Sequence, residues 1–313
     1  MKKTLLSSLV LVGTFSMSAA SAECDGNLYT MNAGRGDVGV LVNVHEGLAR
    51  SITRQEFHTE AANLVEINSR ALFSASAMAY DATNNRIYYT STPTPDEYYI
   101  DGVEDGEFTE QEISNLPFLH KTHKPYELAY FDVASQTHHV VGSTKYQVWR
   151  MTFDPETGTL YGSDIRRLFT IDPSTGVQTL IGNLDLNIRL GGYANWGDLI
   201  FKDGELLFVT NTRVFNLSTE DASATVKFFH HVDEITAATL DQNGEILVAA
   251  MNNNVTGHQN STNFWVLDPT TNDQNFGSQS HAGLVPMRID AMTRVTAETD
   301  TCYAPKFLPN KAA

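Results

Sequence analysis

Residues 101–112 read DGVEDGEFTEQE, an acidic dodecamer with oxygen donors at regular spacing. Asp101, Asp105 and Glu112 stand at positions one, five and twelve of a calcium-binding loop pattern, with Gly106 at the sharp-turn position and Phe108 at the apolar one. Glu107 would ligate through its carbonyl oxygen, and Thr109 would fill position nine. Calcium takes several oxygen ligands, so this set suits it. Val103 stands where a third side-chain oxygen belongs, and Pro93 and Pro95 interrupt any preceding helix. The competing reading is an acidic, solvated loop whose Asp-Gly pairs are turns.

A second group invites ligand or acid–base chemistry. Arg150, Asp198, Glu234, Arg288 and Asp290 lie just before or at the start of apolar runs, with Trp149, Tyr193 and Trp196 close by. Facing Arg and carboxylate groups could hold a polar ligand or move protons, and salt bridges between structural units would use the same residues. The histidines cluster as His120 with His123, His138-His139 and His230-His231. Neighbours along a strand point to opposite faces, so the adjacent pairs do not read as chelators of one transition metal. No strand–nucleophile–helix elbow is legible.

The elements that must position these groups are short strands. Residues 151–182, MTFDPETGTLYGSDIRRLFTIDPSTGVQTLIG, alternate strand-forming runs with Asp/Gly turns: Met151 to Phe153, Leu160 to Gly162, Leu168 to Ile171 and Val177 to Ile181. Weaker copies begin at Met78, Leu199 and Ala238. Four antiparallel strands per unit, repeated, predict an all-β β-propeller. A fifth blade assembles from both termini. Ile289 to Thr293 would supply its inner strand, Leu28 to Met31 the second, Val38 to Val44 the third and Ser51 to Phe57 the fourth. The expectation is five blades, or six if Leu64 to Ile67 belongs to a further unit. A β-sandwich is the rival arrangement.

The phrase Leu168-Phe169-Thr170-Ile171-Asp172-Pro173-Ser174-Thr175-Gly176, closed by Leu180-Ile181-Gly182, resembles the repeat of secreted bacterial propeller-like domains of unknown function. Those repeats read Leu-Tyr-x-Ile-Asp-Pro-x-Thr-Gly and then Ile-Gly. The resemblance covers about half the chain at the level of pattern. It implies a propeller and export, and no activity. Five-bladed glutaminyl cyclases and glycoside hydrolases look similar in architecture, but no catalytic motif of either kind is present, so that analogy rests on fold alone.

Lys2 and Lys3, the apolar run Leu5 to Val12 and the small residues Ala20-Ser21-Ala22 read as a signal peptide cleaved after Ala22, leaving 23–313 as one propeller domain. Export to the periplasm or the medium follows. A lipid anchor on Cys24 is the alternative, although Glu23 stands where a small residue is needed. Cys24 and Cys302 are the two cysteines, and an oxidising compartment predicts a bond between them. In the split-blade reading they meet where the chain break replaces a hairpin turn. Closing so long a loop is worth on the order of 5 kcal/mol in the chain-entropy model.

Removing the signal leaves 19 Lys+Arg against 37 Asp+Glu, a net charge of −18. That charge argues against nucleic acid or an anionic membrane as partner. No stretch beyond the signal is apolar enough to insert in a bilayer. The two departures from the repeat are the acidic insertion at 91–127 and the Asn-rich loop from Asn252 to Asn263. Two functions stay open: a non-catalytic module, stabilised by calcium if the loop binds it, that takes a small ligand or an extracytoplasmic protein; and a hydrolase, lyase or cyclase using carboxylates at the channel mouth.

Overall fold

The computed structural model describes residues 28–31, 34–35, 39–44, 65–91, 96–97, 126–185, 188, 195–241, 243–251, 261–269, 276–285 and 287–296. They form five four-stranded antiparallel sheets arranged as the blades of a propeller. From the axis outward, blade one takes β22 (Ala291–Arg294), β1 (Leu28–Met31), β3 (Gly39–Val44) and β4 (Val65–Ala71). Blade two takes β5 (Ala75–Asp81), β6 (Arg86–Ser91), β8 (Glu127–Asp132) and β9 (Thr137–Ser143). Blade three takes β10 (Arg150–Phe153), β11 (Leu160–Ser163), β12 (Arg167–Ile171) and β13 (Gln178–Asn183). Blade four takes β14 (Asp198–Lys202), β15 (Glu205–Thr210), β16 (Arg213–Leu217) and β17 (Ala224–Phe229). Blade five takes β18 (Ile235–Leu240), β19 (Ile246–Met251), β20 (Thr262–Asp268) and β21 (Ser278–Val285). A short parallel pair, β2 (Gly34–Arg35) with β7 (Asp96–Glu97), joins the start of the long insertion to blade one.

The inner strands neighbour one another in the order β22, β5, β10, β14, β18 and back to β22, so the ring is closed. The core is correspondingly divided into five slabs, each between two blades. Tyr29 and Leu41 of blade one pack with Met78 and Tyr89 of blade two. Tyr88 meets Phe153 and Phe169 across blades two and three, and Leu168 meets Phe208 and Phe215 across three and four. Val209 and Val248 pack across four and five, and Leu28 and Val42 meet Leu247 and Phe264 where five returns to one. Because both faces of every blade are covered, the inner strands read as apolar runs rather than as strict alternation.

The repeated Asp builds the turn that follows a strand. Carboxylates of Asp81, Asp154, Asp172 and Asp241 accept the N–H two residues on, from Thr83, Glu156, Ser174 and Asn243, at 2.7–2.9 Å. This is the Asx geometry that makes Asp a turn residue.

Blade one does close from both ends, with Leu28 opposite Arg294 and Met31 opposite Ala291. Its outer strand is Val65–Ala71, so residues 65–67, the described part of the stretch that a sixth unit would need, belong to this blade. Ser51 to Phe57, the signal segment, Cys24, Cys302 and the whole of 101–112 lie outside the described residues. No helix among the described residues is long and apolar enough to cross a membrane.

Candidate functional site

At the leading ends of the inner strands, Arg150 and Asp198 come together as the sequence suggested, but deep inside. Each is 1% exposed. The Arg150 guanidinium lies over the Phe208 ring and donates to the carbonyls of Gly197 (3.0 Å), Trp196 (3.2 Å) and Asp164 (3.4 Å). Burial pushes its pKa down to about 10, which leaves it a cation at neutral pH. The Asp198 carboxylate accepts the N–H of Leu199 at 2.8 Å and of Ala238 at 3.3 Å, and is also bonded by the N–H of Met151. Those three amides belong to the inner strands of blades four, five and three. Burial pushes the Asp198 carboxyl up to about 8, against the pull of the three amides and Arg150. Asp198 therefore fastens three blades at the axis.

The remaining members of that group are placed separately. Arg288 pairs with Asp290, Nε to Oδ1 at 2.9 Å. Glu234 sits in the left-handed region, φ 55°, where its carbonyl accepts the N–H of Met251. Trp196 is half-buried and contributes its carbonyl to Arg150. Tyr193 lies outside the described residues.

A cavity of about 380 Å³ opens instead at the trailing ends of the inner strands, around the axis. All five blades contribute to it at equivalent register. Its floor is Met78, Met151, Leu199, Ala238 and Met292, directly above Asp198 in the strand direction. The next layer is Ala79, Thr152, Ile200, Thr239 and Thr293. The rim carries Asp81, Asp154 and Asp241 with Arg294. Arg294 donates to the Leu240 carbonyl at 2.9 Å, crossing from blade one to blade five. Although burial opposes it, the Thr157 hydroxyl and the amides of Glu156 and Thr157 hold Asp154 below the usual carboxylate range. The ligand-site residues read from the sequence, Arg150, Trp196, Asp198, Glu234 and Arg288, lie at the opposite end of the inner strands. The signal that would have found this layer is the Thr that follows the floor residue in three of the five inner strands.

The histidine pairs split across faces as strand geometry requires. His138 turns inward, with Nδ1 2.9 Å from the Tyr89 hydroxyl and Nε2 2.8 Å from Ser69 Oγ, while His139 stacks outward on Tyr130. Burial, and secondarily His139, push His138 down to about 4. The Ser69–His138 contact is a nucleophile–base juxtaposition that nothing local in the sequence announces. It joins the outer strands of blades one and two, and Ser69 Oγ is also within 2.9 Å of Asn68 Oδ1. His230 is buried and pushed down to about 4 by that burial, whereas His231 stacks on Phe276. Among the described residues, no group of three or more His, Cys, Asp or Glu is placed to hold a metal ion.

No protein-family model matches the chain, and no curated protein matches it. Solved structures similar to it include a crystal structure of a nidogen/laminin complex, at 11% identity and TM-score 0.42, covering 86% of this chain and 98% of that one. A symmetrical protein, studied for its de novo evolutionary emergence, aligns at 10% identity and TM-score 0.46, over 85% of this chain and 97% of its own. Kuenenia stuttgartiensis hydrazine synthase aligns at 10% identity and TM-score 0.38, over 86% and 69%. The class of this protein, a five-bladed β-propeller, rests on its own ring of sheets.

Proposed function

We propose that this chain is an exported, non-catalytic binding module whose ligand enters the axial cavity at the trailing ends of the inner strands. The observation that carries the reading is the state of the carboxylates around the axis. Proton transfer needs a carboxyl within reach of the substrate. Asp198 is 1% exposed and held by three amides, Asp290 is paired with Arg288, and Asp81 and Asp154 are buried and turned into their own hairpins. What is left open at the axis is a cavity of the size small ligands use.

The test is a thermal-shift screen with small organic compounds at millimolar concentration, run on the wild type and on Ala238→Phe. Ala238 lines the cavity and packs with Ile200 and Val248 between blades four and five. A larger side chain there narrows the cavity and crowds that slab, so each shift is read against the variant's own unliganded Tm. A ligand at a hundred times its Kd stabilises by about 2.7 kcal/mol. Ligands that raise the wild-type Tm should lose their effect in Ala238→Phe. Shifts that survive the narrowed cavity would place binding elsewhere.

Export, the Cys24–Cys302 bond and calcium at Asp101, Asp105, Glu107, Thr109 and Glu112 complete the proposal. The bond is supported by the pairing of Leu28 with Arg294, which sends both chain ends out of blade one at the same edge. On the secreted protein, mass analysis without reductant should show two hydrogens missing, and calcium should raise Tm relative to chelator. Two alkylatable thiols, or equal melting, would remove the corresponding element.

A further inference from the structure

We infer that the axial cavity takes an uncharged, ring-sized organic molecule bearing hydroxyl or carbonyl oxygen, recognised by the hydroxyls of Thr152, Thr239 and Thr293; this rests on the binding-module reading above. The three threonines occupy the same register on β10, β18 and β22, so they surround one volume from three blades. None of the three hydroxyls has a hydrogen-bond partner among the described residues, and Thr293 is 7% exposed. Thr152 and Thr239 are half-buried, so water of the cavity reaches these hydroxyls, and a ligand oxygen can take that water's place.

Charge selects against anions, and the filled acceptor sites of the rim leave a cation little to bind. An anion would meet Asp81, Asp154 and Asp241 at the rim. A cation would meet Arg294 and carboxylates that, though charged, have most of their acceptor sites taken: Asp81 accepts from Thr83 and Asn84 on both oxygens, and Asp154 from Glu156 and Thr157 on both. Below the threonines, Met78, Met151, Leu199 and Met292, packed into the cores between the blades, close the cavity with apolar side chains that suit the apolar end of a ligand. At roughly 30 Å³ for each water-sized group, the volume admits a ligand of on the order of ten heavy atoms.

Calorimetry with phenol, cyclohexanol, toluene, benzoate and benzylammonium tests the inference on the full mature chain. Phenol and cyclohexanol should bind, the two ions should not, and toluene should bind more weakly than phenol. Thr239→Val and Thr293→Val keep shape and remove one hydroxyl, so each should weaken phenol roughly three- to tenfold and leave toluene unchanged. Toluene equal to phenol, or phenol unaffected by both variants, would overturn the threonine recognition while leaving the cavity a binding site. Tight benzoate or benzylammonium binding abolished by Ala238→Phe would overturn the neutral class alone. Failure of every probe, together with an empty thermal-shift screen, would overturn both this inference and the module reading.

Discussion

Replacing Asp198 by Ala should lower stability by about 4 kcal/mol, a fall in Tm of roughly 8 °C for a chain of this size. The carboxylate is the shared acceptor for the amides of Met151, Leu199 and Ala238. Each buried amide left without an acceptor costs about 1–3 kcal/mol, with water from the cavity recovering part. Arg150 keeps its carbonyl acceptors at Gly197, Trp196 and Asp164 and loses only the charge of Asp198. The isosteric Asp198→Asn retains one oxygen acceptor and should cost about half as much. It also separates charge from shape. With its pKa raised to about 8, folded Asp198 binds more protons than the unfolded carboxyl between about pH 4 and 8, so its contribution is present at low pH and fades as pH rises. Urea unfolding at pH 6 and pH 9 should show a wild-type loss on the order of 2 kcal/mol from this group, absent in Asp198→Asn. A pH response unchanged by Asp198→Asn would show that this carboxyl is not the titrating group.

What the sequence discloses and what it hides divide along range. Turn chemistry is local, so Asp154-Pro155-Glu156-Thr157-Gly158 announces its own hairpin, and the ring count follows from repeating it. The half-blade at each terminus is legible for the same reason. The outer strand of blade one is not: Val65-Glu66-Ile67-Asn68-Ser69-Arg70-Ala71 carries polar residues along much of its length, as an outermost strand can, and lies far in sequence from β3. The candidate site is hidden more deeply. Arg150 and Asp198 are visible as a charged group, but only the fold shows that their partners are backbone amides and carbonyls of neighbouring blades. Amides carry no side-chain signature, so a structural clamp and an acid–base pair look the same in sequence. Thr152, Thr239 and Thr293 are ordinary strand residues until the inner strands are aligned by their floor positions.

Gly197→Ala should be the more damaging change, costing on the order of 5 kcal/mol or preventing folding, because strain and overlap add there. Gly197 has φ 84°, a region that costs a residue with a Cβ about 1–2 kcal/mol. An added Cβ would overlap the Val209 carbonyl oxygen and press on Thr210 Cα at 2.7 Å, both of them backbone and unable to swing aside. Relief would require moving β14 against β15, and this glycine is where three blades meet. Its N–H donates to the Ile235 carbonyl of blade five at 2.6 Å, and its carbonyl accepts from Arg150 of blade three at 3.0 Å. A shift therefore breaks both inter-blade bonds and disturbs Asp198, the next residue. Gly204→Ala provides the comparison: φ is 77°, and its Cβ meets nothing within 4 Å, so it should cost only about 1–2 kcal/mol. Urea midpoints of the two variants measure the difference directly. If Gly197→Ala proved no worse than Gly204→Ala, the close approach at the axis would not be what requires glycine.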